Sequence, residues 1–357
     1  MYTVTVYRKR EMRVNRLLTD PATNLEGVHR RRGGCRAAVR APFLLAAFVL
    51  LATFAPPALQ HREPPPAVTL VRFTPVALDE KAPGLDRLGR LRFLGAWALT
   101  SNDARIGGIS ALHVEGGEAL AMSDAGWRIR LPLPQGRAPA RAEVAMLEKG
   151  PGPPGDKEDR DIESLVVHGE MAWIGYEQAN AIWRYERRRF APRASAAPRA
   201  MREWSDNAGP EAMARLADGR FLVFAEGQGG DSEAILFSGD PAAAGTSALR
   251  LRYRPPTGFR ITDAATLPDG RLVLLNRAVG LFAGFTARLT VAALPLRADR
   301  ALIVGREIAA FEGSVTRDNL EALSVVREGG RTILWIASDD NYNPLQRTLL
   351  MKFALVQ

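Results

Sequence analysis

From about residue 105 onward, short apolar runs alternate with glycine-centred turns, and the alternation repeats over a long period. One five-residue pattern returns five times: Gly108-Ile109-Ser110-Ala111-Leu112, Ile162-Glu163-Ser164-Leu165-Val166, Pro210-Glu211-Ala212-Met213-Ala214, Thr262-Asp263-Ala264-Ala265-Thr266 and Leu320-Glu321-Ala322-Leu323-Ser324. The copies start 54, 48, 52 and 58 residues apart, a period found in propeller blades and solenoids. Each copy then reaches a turn dipeptide, Gly116-Gly117, His168-Gly169, Asp218-Gly219, Asp269-Gly270 or Gly329-Gly330, and a second apolar run follows it. Two strands joined by a tight hairpin fit this arrangement. Residues 181–185 and 249–253 supply further strands, so that a unit holds four. The last copy ends in a third strand near residue 355, and an N-terminal strand, 92–99 or 68–73, is positioned to supply its fourth. The expected fold is all-β: a β-propeller of five to six four-stranded blades, closed by an N-terminal strand. Closure protects sheet edges that would otherwise pair with other chains.

One column of the repeat is acidic in four copies, Glu163, Glu211, Asp263 and Glu321, with Ile109 in the first; the residue after it is always small. These residues open the expected innermost strand, so the acids are expected to ring one mouth of the central channel. Converging carboxylates repel unless a cation, an arginine or a raised pKa relieves them. A hard cation such as calcium suits oxygen ligands of this kind. Capping of backbone amides is the other use of acids at repeat turns, and the sequence alone leaves both open. A second polar column follows the second strand: Asp124, Glu177, Glu226, Asn276 with Arg277, and Asp339 with Asp340 and Asn341. Two antiparallel strands return the chain to its starting end, so both columns belong to one face.

Charge is unevenly spread. Of the formal net charge of +9, residues 1–60 carry ten Lys or Arg against three acids, so the remainder is near neutral and gives no nucleic-acid footprint. The basic stretch, 1–40, leads into an uncharged apolar run, 41–55, with the order and length of an export signal or an uncleaved anchor. A proline-rich linker, 56–67, separates it from the domain at 68–357. The expected location is therefore periplasmic, free or tethered to the inner membrane, with membrane contact only through the N-terminal segment. Cys35 is the only cysteine and precedes the apolar run, so the domain has no disulfide, thiolate metal site or cysteine nucleophile.

Several segments are more particular than a generic blade: Asn207-Ala208-Gly209-Pro210-Glu211-Ala212-Met213 with Asp218-Gly219-Arg220 and Glu226-Gly227; Gly175-Tyr176-Glu177-Gln178 followed by Ile182-Trp183-Arg184-Tyr185; and Ser338-Asp339-Asp340-Asn341 followed by Gln346-Arg347-Thr348-Leu349-Leu350. Over roughly residues 88–357 the chain resembles the phytase-like family described as having esterase-like activity. The resemblance implies an exported bacterial propeller, related in architecture to the calcium-dependent β-propeller phytases. It carries over no nucleophile.

No Gly-x-Ser-x-Gly elbow, His-Glu-x-x-His or nucleotide, haem or flavin motif occurs, which disfavours serine-histidine and zinc chemistry. If the chain is a hydrolase, as the resemblance implies, the expected chemistry is metal-assisted cleavage of a small-molecule phosphate or carboxylate ester. Glu163, Glu211, Asp263 and Glu321 would then ligate the metal directly or support its ligands, with Arg277 contacting the anion and Asp339, Asp340 and Asn341 adding oxygens. The alternative is a non-enzymatic envelope propeller that binds a ligand or protein partner, since fold does not fix function.

Overall fold

The computed structural model describes residues 67–356 apart from 137, 156, 206, 228–229 and 295–299. The expected basic segment, apolar run and nearly all of the linker lie outside the described residues. Among the described residues no helix is long and apolar enough to cross a membrane.

The described chain is a propeller of five blades. Blade I is built from Ile109–Glu115, Glu118–Ser123, Trp127–Pro132 and Ala140–Met146. Blade II comprises Ile162–His168, Met171–Tyr176, Ala181–Glu186 and Pro192–Ala196. Blade III comprises Pro210–Arg215, Phe221–Ala225, Ser232–Phe237 and Ala248–Arg254, with a fifth strand, Leu302–Val304, added in parallel at its edge. Blade IV holds Arg260–Thr266, Leu272–Gly280, Gly284–Ala292 and Arg306–Phe311. Blade V takes Asn319–Glu328, Arg331–Asp339 and Leu349–Leu355 from the C-terminal end and its outer strand, Leu91–Thr100, from the N-terminal side. The strand Val68–Pro75 straddles two blades. Its first half pairs with the outer strand of blade I and its second half with Leu91–Thr100. Both N-terminal segments therefore close the ring.

The first strand of every blade is innermost, and each touches its two neighbours around the axis. The hairpins that follow obey local turn chemistry. Gly116 and Gly117, at φ 60° and 85°, supply the two left-handed residues that a type I′ turn needs, as do Gly329 and Gly330. Five apolar clusters fill the interfaces between adjacent blades. Blades stacked on both sides leave no wet face, which is why Phe221–Ala225 is buried at every position rather than at alternate ones. Tryptophans contribute to these interfaces: Trp97 stacks on Trp335 at 6.0 Å in blade V, and Trp173 tilts against Phe221 at 5.0 Å between blades II and III.

Side chains of the inner strands also join each blade to the next. Ser110 Oγ donates to Ile162 O at 2.5 Å, Ser164 Oγ to Pro210 O at 2.6 Å and Thr266 Oγ1 to Arg215 O at 2.9 Å. Thr262 Oγ1 donates to Leu320 O at 3.3 Å, and Val114 N to Ser324 Oγ at 2.9 Å. All five interfaces thus carry one such bond, and small hydroxyl residues recur where the inner strands crowd.

Candidate functional site

Each inner strand has a register shift at the same place, where two of its residues oppose one on the second strand. The residues at the shift are Ser110, Glu163, Glu211, Thr262 and Glu321. A bulge leaves its extra residue outside the ladder and re-aims the side chain. At the start of an inner strand, that direction is toward the channel mouth. Glu163, Glu211 and Glu321 therefore share one structural column, with hydroxyl residues filling it in blades I and IV.

Asp263 stands one position beyond that column, paired with Leu275. Its buried carboxylate accepts Leu323 N at 2.6 Å and Ala264 N at 2.7 Å, joining blade IV to blade V. The expected fourth mouth acid is here a structural brace, because the bulge falls on Thr262. Burial still raises its pKa against the two donated bonds.

The second column divides as well. Glu177, Glu226, Arg277 and Asp339 join the three glutamates, and Asp124 adjoins them from blade I. Asn276 is fully buried inside blade IV, accepting Tyr253 Oη–H at 2.7 Å and donating to Leu274 O and Arg288 O. Asp340 accepts Gly108 N at 2.8 Å, Tyr342 N at 3.0 Å and Thr348 Oγ1 at 2.7 Å, tying blade V to blade I. Asn341 takes a left-handed conformation, φ 49°, and donates to Gln346. Asp340 and Asn341 thus shape the rim, while Asn276 braces blade IV from within.

Two residues that the repeat column does not contain complete the site. Asp161, just ahead of the inner strand of blade II, lies with Glu163 and Glu177 so that one carboxylate oxygen of each falls within 4.8 Å of the others. Lys157, on the single-turn helix Lys157–Arg160 (α1), donates to Asp124 Oδ2 at 2.6 Å. The signal available for Asp161 was its place two residues before Glu163, at the entry to the same inner strand. Arg160 fixes this segment from below. It is buried and donates to Pro151 O at 2.5 Å, Leu147 O at 2.6 Å and Gly152 O at 3.0 Å.

The electrostatics are those of crowded acids. Burial and then the neighbouring carboxylates push Glu163 well above the usual carboxylate range. Burial raises Asp161 to about 7 and Glu177 to about 8, in the second case with added repulsion from Asp161 and Glu226. Glu211, Glu321 and Asp339 are also raised, burial first. Arg277 relieves one side of the cluster, with Nη1 at 2.6 Å from both Glu321 Oε1 and Asn319 Oδ1 and Nη2 at 3.8 Å from Glu226. Among the described residues, the cation on the Asp161, Glu163 and Glu177 side is the half-exposed Lys157, which is bonded to Asp124. There, Oδ1 of Asp161 and Oδ1 of Asp124 are buried with no hydrogen-bond partner. Acid crowding, a deficit of cations and orphaned carboxylate oxygens together fit a site for a positive ion.

Neither domain histidine is at this mouth. His113 and His168 lie toward the other end of the inner strands, lining a cavity of about 190 Å³ with Arg215, Thr266 and Ser324. Burial holds His113 down to about 4, so it is neutral at pH 7.

A family model described as phytase-like, with esterase-like activity of phytase, matches residues 104–342. No curated protein matches the chain. Among solved structures, similarity extends to the glutaminyl cyclase of Myxococcus xanthus, at 11% identity over 76% of this chain and 100% of that one with a TM-score of 0.42. It extends also to an α-L-arabinofuranosidase of Podospora anserina, at 13% identity over 74% of this chain and 97% of that one with a TM-score of 0.42. At such scores neither likeness bears on the chemistry of this mouth.

Proposed function

The chain belongs to the phytase-like family with esterase-like activity, and from that premise we propose that it is an exported hydrolase that cleaves a small-molecule phosphate or carboxylate ester at the acidic mouth. The reading rests above all on one observation: the mutually close carboxylates Asp161, Glu163 and Glu177, with Asp161 Oδ1 buried and without a donor. These three would hold a divalent cation, and their all-oxygen character suits calcium. Such an ion supplies Lewis-acid polarisation of the ester oxygen and lowers the pKa of bound water.

The remaining residues have roles of their own. Glu211 and Glu226 face the ligand set from blade III and deepen the negative field that retains a cation. Arg277 offsets part of the burial that raises Glu321, and its guanidinium is a group that can receive an anionic oxygen. Asp124 holds Lys157 by the ligand set, where a second anion contact is useful.

Calcium titration of the chelated protein tests the reading, read by heat and by thermal midpoint, followed by hydrolysis of phosphate and carboxylate esters with and without EDTA. Wild type should bind calcium and turn over only with it. Glu163→Gln should lose both. Turnover unaffected by EDTA would sink the metal-assisted reading, and calcium binding without turnover on any ester would favour a ligand-binding propeller.

A further inference from the structure

The second and third strands of blade IV outrun their neighbours. The inner strand's pairing ends at Arg260 opposite Arg277, and that of the outer strand ends at Phe311 opposite Ala287. Beyond both, the pairs Ala278↔Thr286, Val279↔Phe285 and Gly280↔Gly284 continue as a free two-stranded arm. At about 3.3 Å per residue the arm rises roughly 10–13 Å above the level of Arg277, on the face that carries the acidic mouth.

Its apex, 279–284, contains no polar side chain. Val279 is 54% exposed, Leu281 58% and Phe282 98%. An apolar tip of this kind facing water marks a contact surface rather than a packing element. The arm is also braced. Arg317 Nε donates to Phe285 O at 2.7 Å and its Nη2 to Ala283 O at 3.1 Å, with Arg347 Nη2 donating to Arg317 O behind it. Arg317 and Arg347 thus sit at the base of an apolar tip, with Asp318 paired to Arg347 and Glu80 nearby, so the tip itself, apolar and exposed, would carry the contact with a lipid surface.

The path of the chain points to the same occupant. Val144 N donates to Ala67 O, and Val68 pairs with Glu143, so the chain enters from the mouth-side end of blade I's outer strand. Residues 56–66 separate that point from the apolar run 41–55 and can span no more than about 40 Å when fully extended. We propose that the apex 279–284 inserts into the lipid surface to which the chain is tethered, holding the acidic mouth toward the membrane. The proposal rests on residues 41–55 acting as an uncleaved anchor, and does not depend on any cation at the mouth.

The test uses the full chain with Cys35→Ser and Phe282→Cys, labelled with an environment-sensitive fluorophore, in EDTA, in vesicles of phosphatidylethanolamine and phosphatidylglycerol. An Asp218→Cys label on the opposite-face turn is the control. The expected result is flotation with the vesicles, a blue shift at 282 with quenching by brominated lipid, and neither change at 218. A floating chain with an unquenched label at 282 overturns the apex assignment and leaves the anchor standing; a chain that does not float overturns both. A label at 282 that shifts with protein concentration in the absence of lipid would assign the apex to a second copy instead. In a second variant, Leu281→Ser with Phe282→Ser and the label at Ala283→Cys, flotation and thermal midpoint should be unchanged while quenching is lost. Retained quenching there would remove the apolar apex as the cause.

Discussion

Stability of the chelated protein should fall as pH rises from about 4 to about 8, the reverse of what a protein rich in paired surface carboxylates shows over that interval. Asp161 carries the sign. Its folded pKa, about 7 against an ordinary 3.8, lies above the unfolded value. Its contribution is therefore complete below the unfolded pKa and is lost as pH rises through the folded one. A difference of about three pKa units corresponds to about 4 kcal/mol at full loss, or roughly 10 °C in midpoint for a domain of this size. Glu177, raised to about 8, acts in the same direction, but it shares a proton-binding cluster with Asp161, so the two contributions do not simply add. Below about pH 4 the opposite term takes over, because carboxylates such as Asp103, held down by its bond to Arg105, lose their stabilisation as they protonate. Differential scanning calorimetry in EDTA across this range should place the highest midpoint on the acid side. Excess calcium should flatten or invert the slope, since ligation displaces protons and strengthens with pH; an ion at a hundred times its Kd adds about 2.7 kcal/mol. A chelated midpoint that is level or rises between about pH 4 and 8 would refute the raised carboxyls.

Two further substitutions separate the site from its supports. Asp263→Ala leaves Leu323 N–H and Ala264 N–H without their acceptor in a buried position, so a loss of about 1–3 kcal/mol in urea unfolding is expected with calcium affinity unchanged. A large fall in affinity without loss of stability would return Asp263 to the ligand set. At Gly209 an added Cβ would lie 2.3 Å from Glu177 O and 2.4 Å from its Cα, so Gly209→Ala must displace the Glu177 backbone, whose N–H is bonded to Asp161 O, and disturb its placement beside Asp161 and Glu163. Calcium binding, followed by calorimetry, should weaken at least about tenfold, since a displacement of about 1 Å at a preorganised site can cost far more. Wild-type affinity in that variant would show that Glu177 is not needed for the ion.

Much of the architecture was legible because a blade writes its two inner strands as apolar runs around a glycine turn, five times over. The closure was legible only in outline. Residues 68–73 and 92–99 read as alternatives for one place, whereas Val68–Pro75 changes partner near its middle and both segments are used. The strand Leu302–Val304 was missed for a different reason: three residues give no period to detect, and parallel addition to blade III is a tertiary event. At the site, an alignment by residue type put Asp263 in the acid column and Ile109 in blade I. The backbone puts Thr262 and Ser110 there, because the bulge, which no side-chain pattern announces, decides which residue faces the mouth.

That one backbone device also explains the asymmetry of the mouth. Where the bulge residue is small, as at Ser110 and Thr262, its hydroxyl reaches only as far as the carbonyl of the next blade and joins the ring. A glutamate at the bulge in blades II, III and V instead places its carboxyl at the mouth. The two places without acids are where the cations enter: Arg277 from the second strand of blade IV, set against Glu321, and Lys157 from the segment between blades I and II, set against Asp124. Arg277 has buried acids on both sides and compensates blades III and V. Lys157 is half exposed and bonds directly to Asp124, acting on Asp161, Glu163 and Glu177 only through space, so these three keep much of their excess charge. A mobile cation from solution is the cheapest means of relieving that excess at neutral pH, and the alternative is to hold protons, as the raised pKa values of Asp161 and Glu177 record.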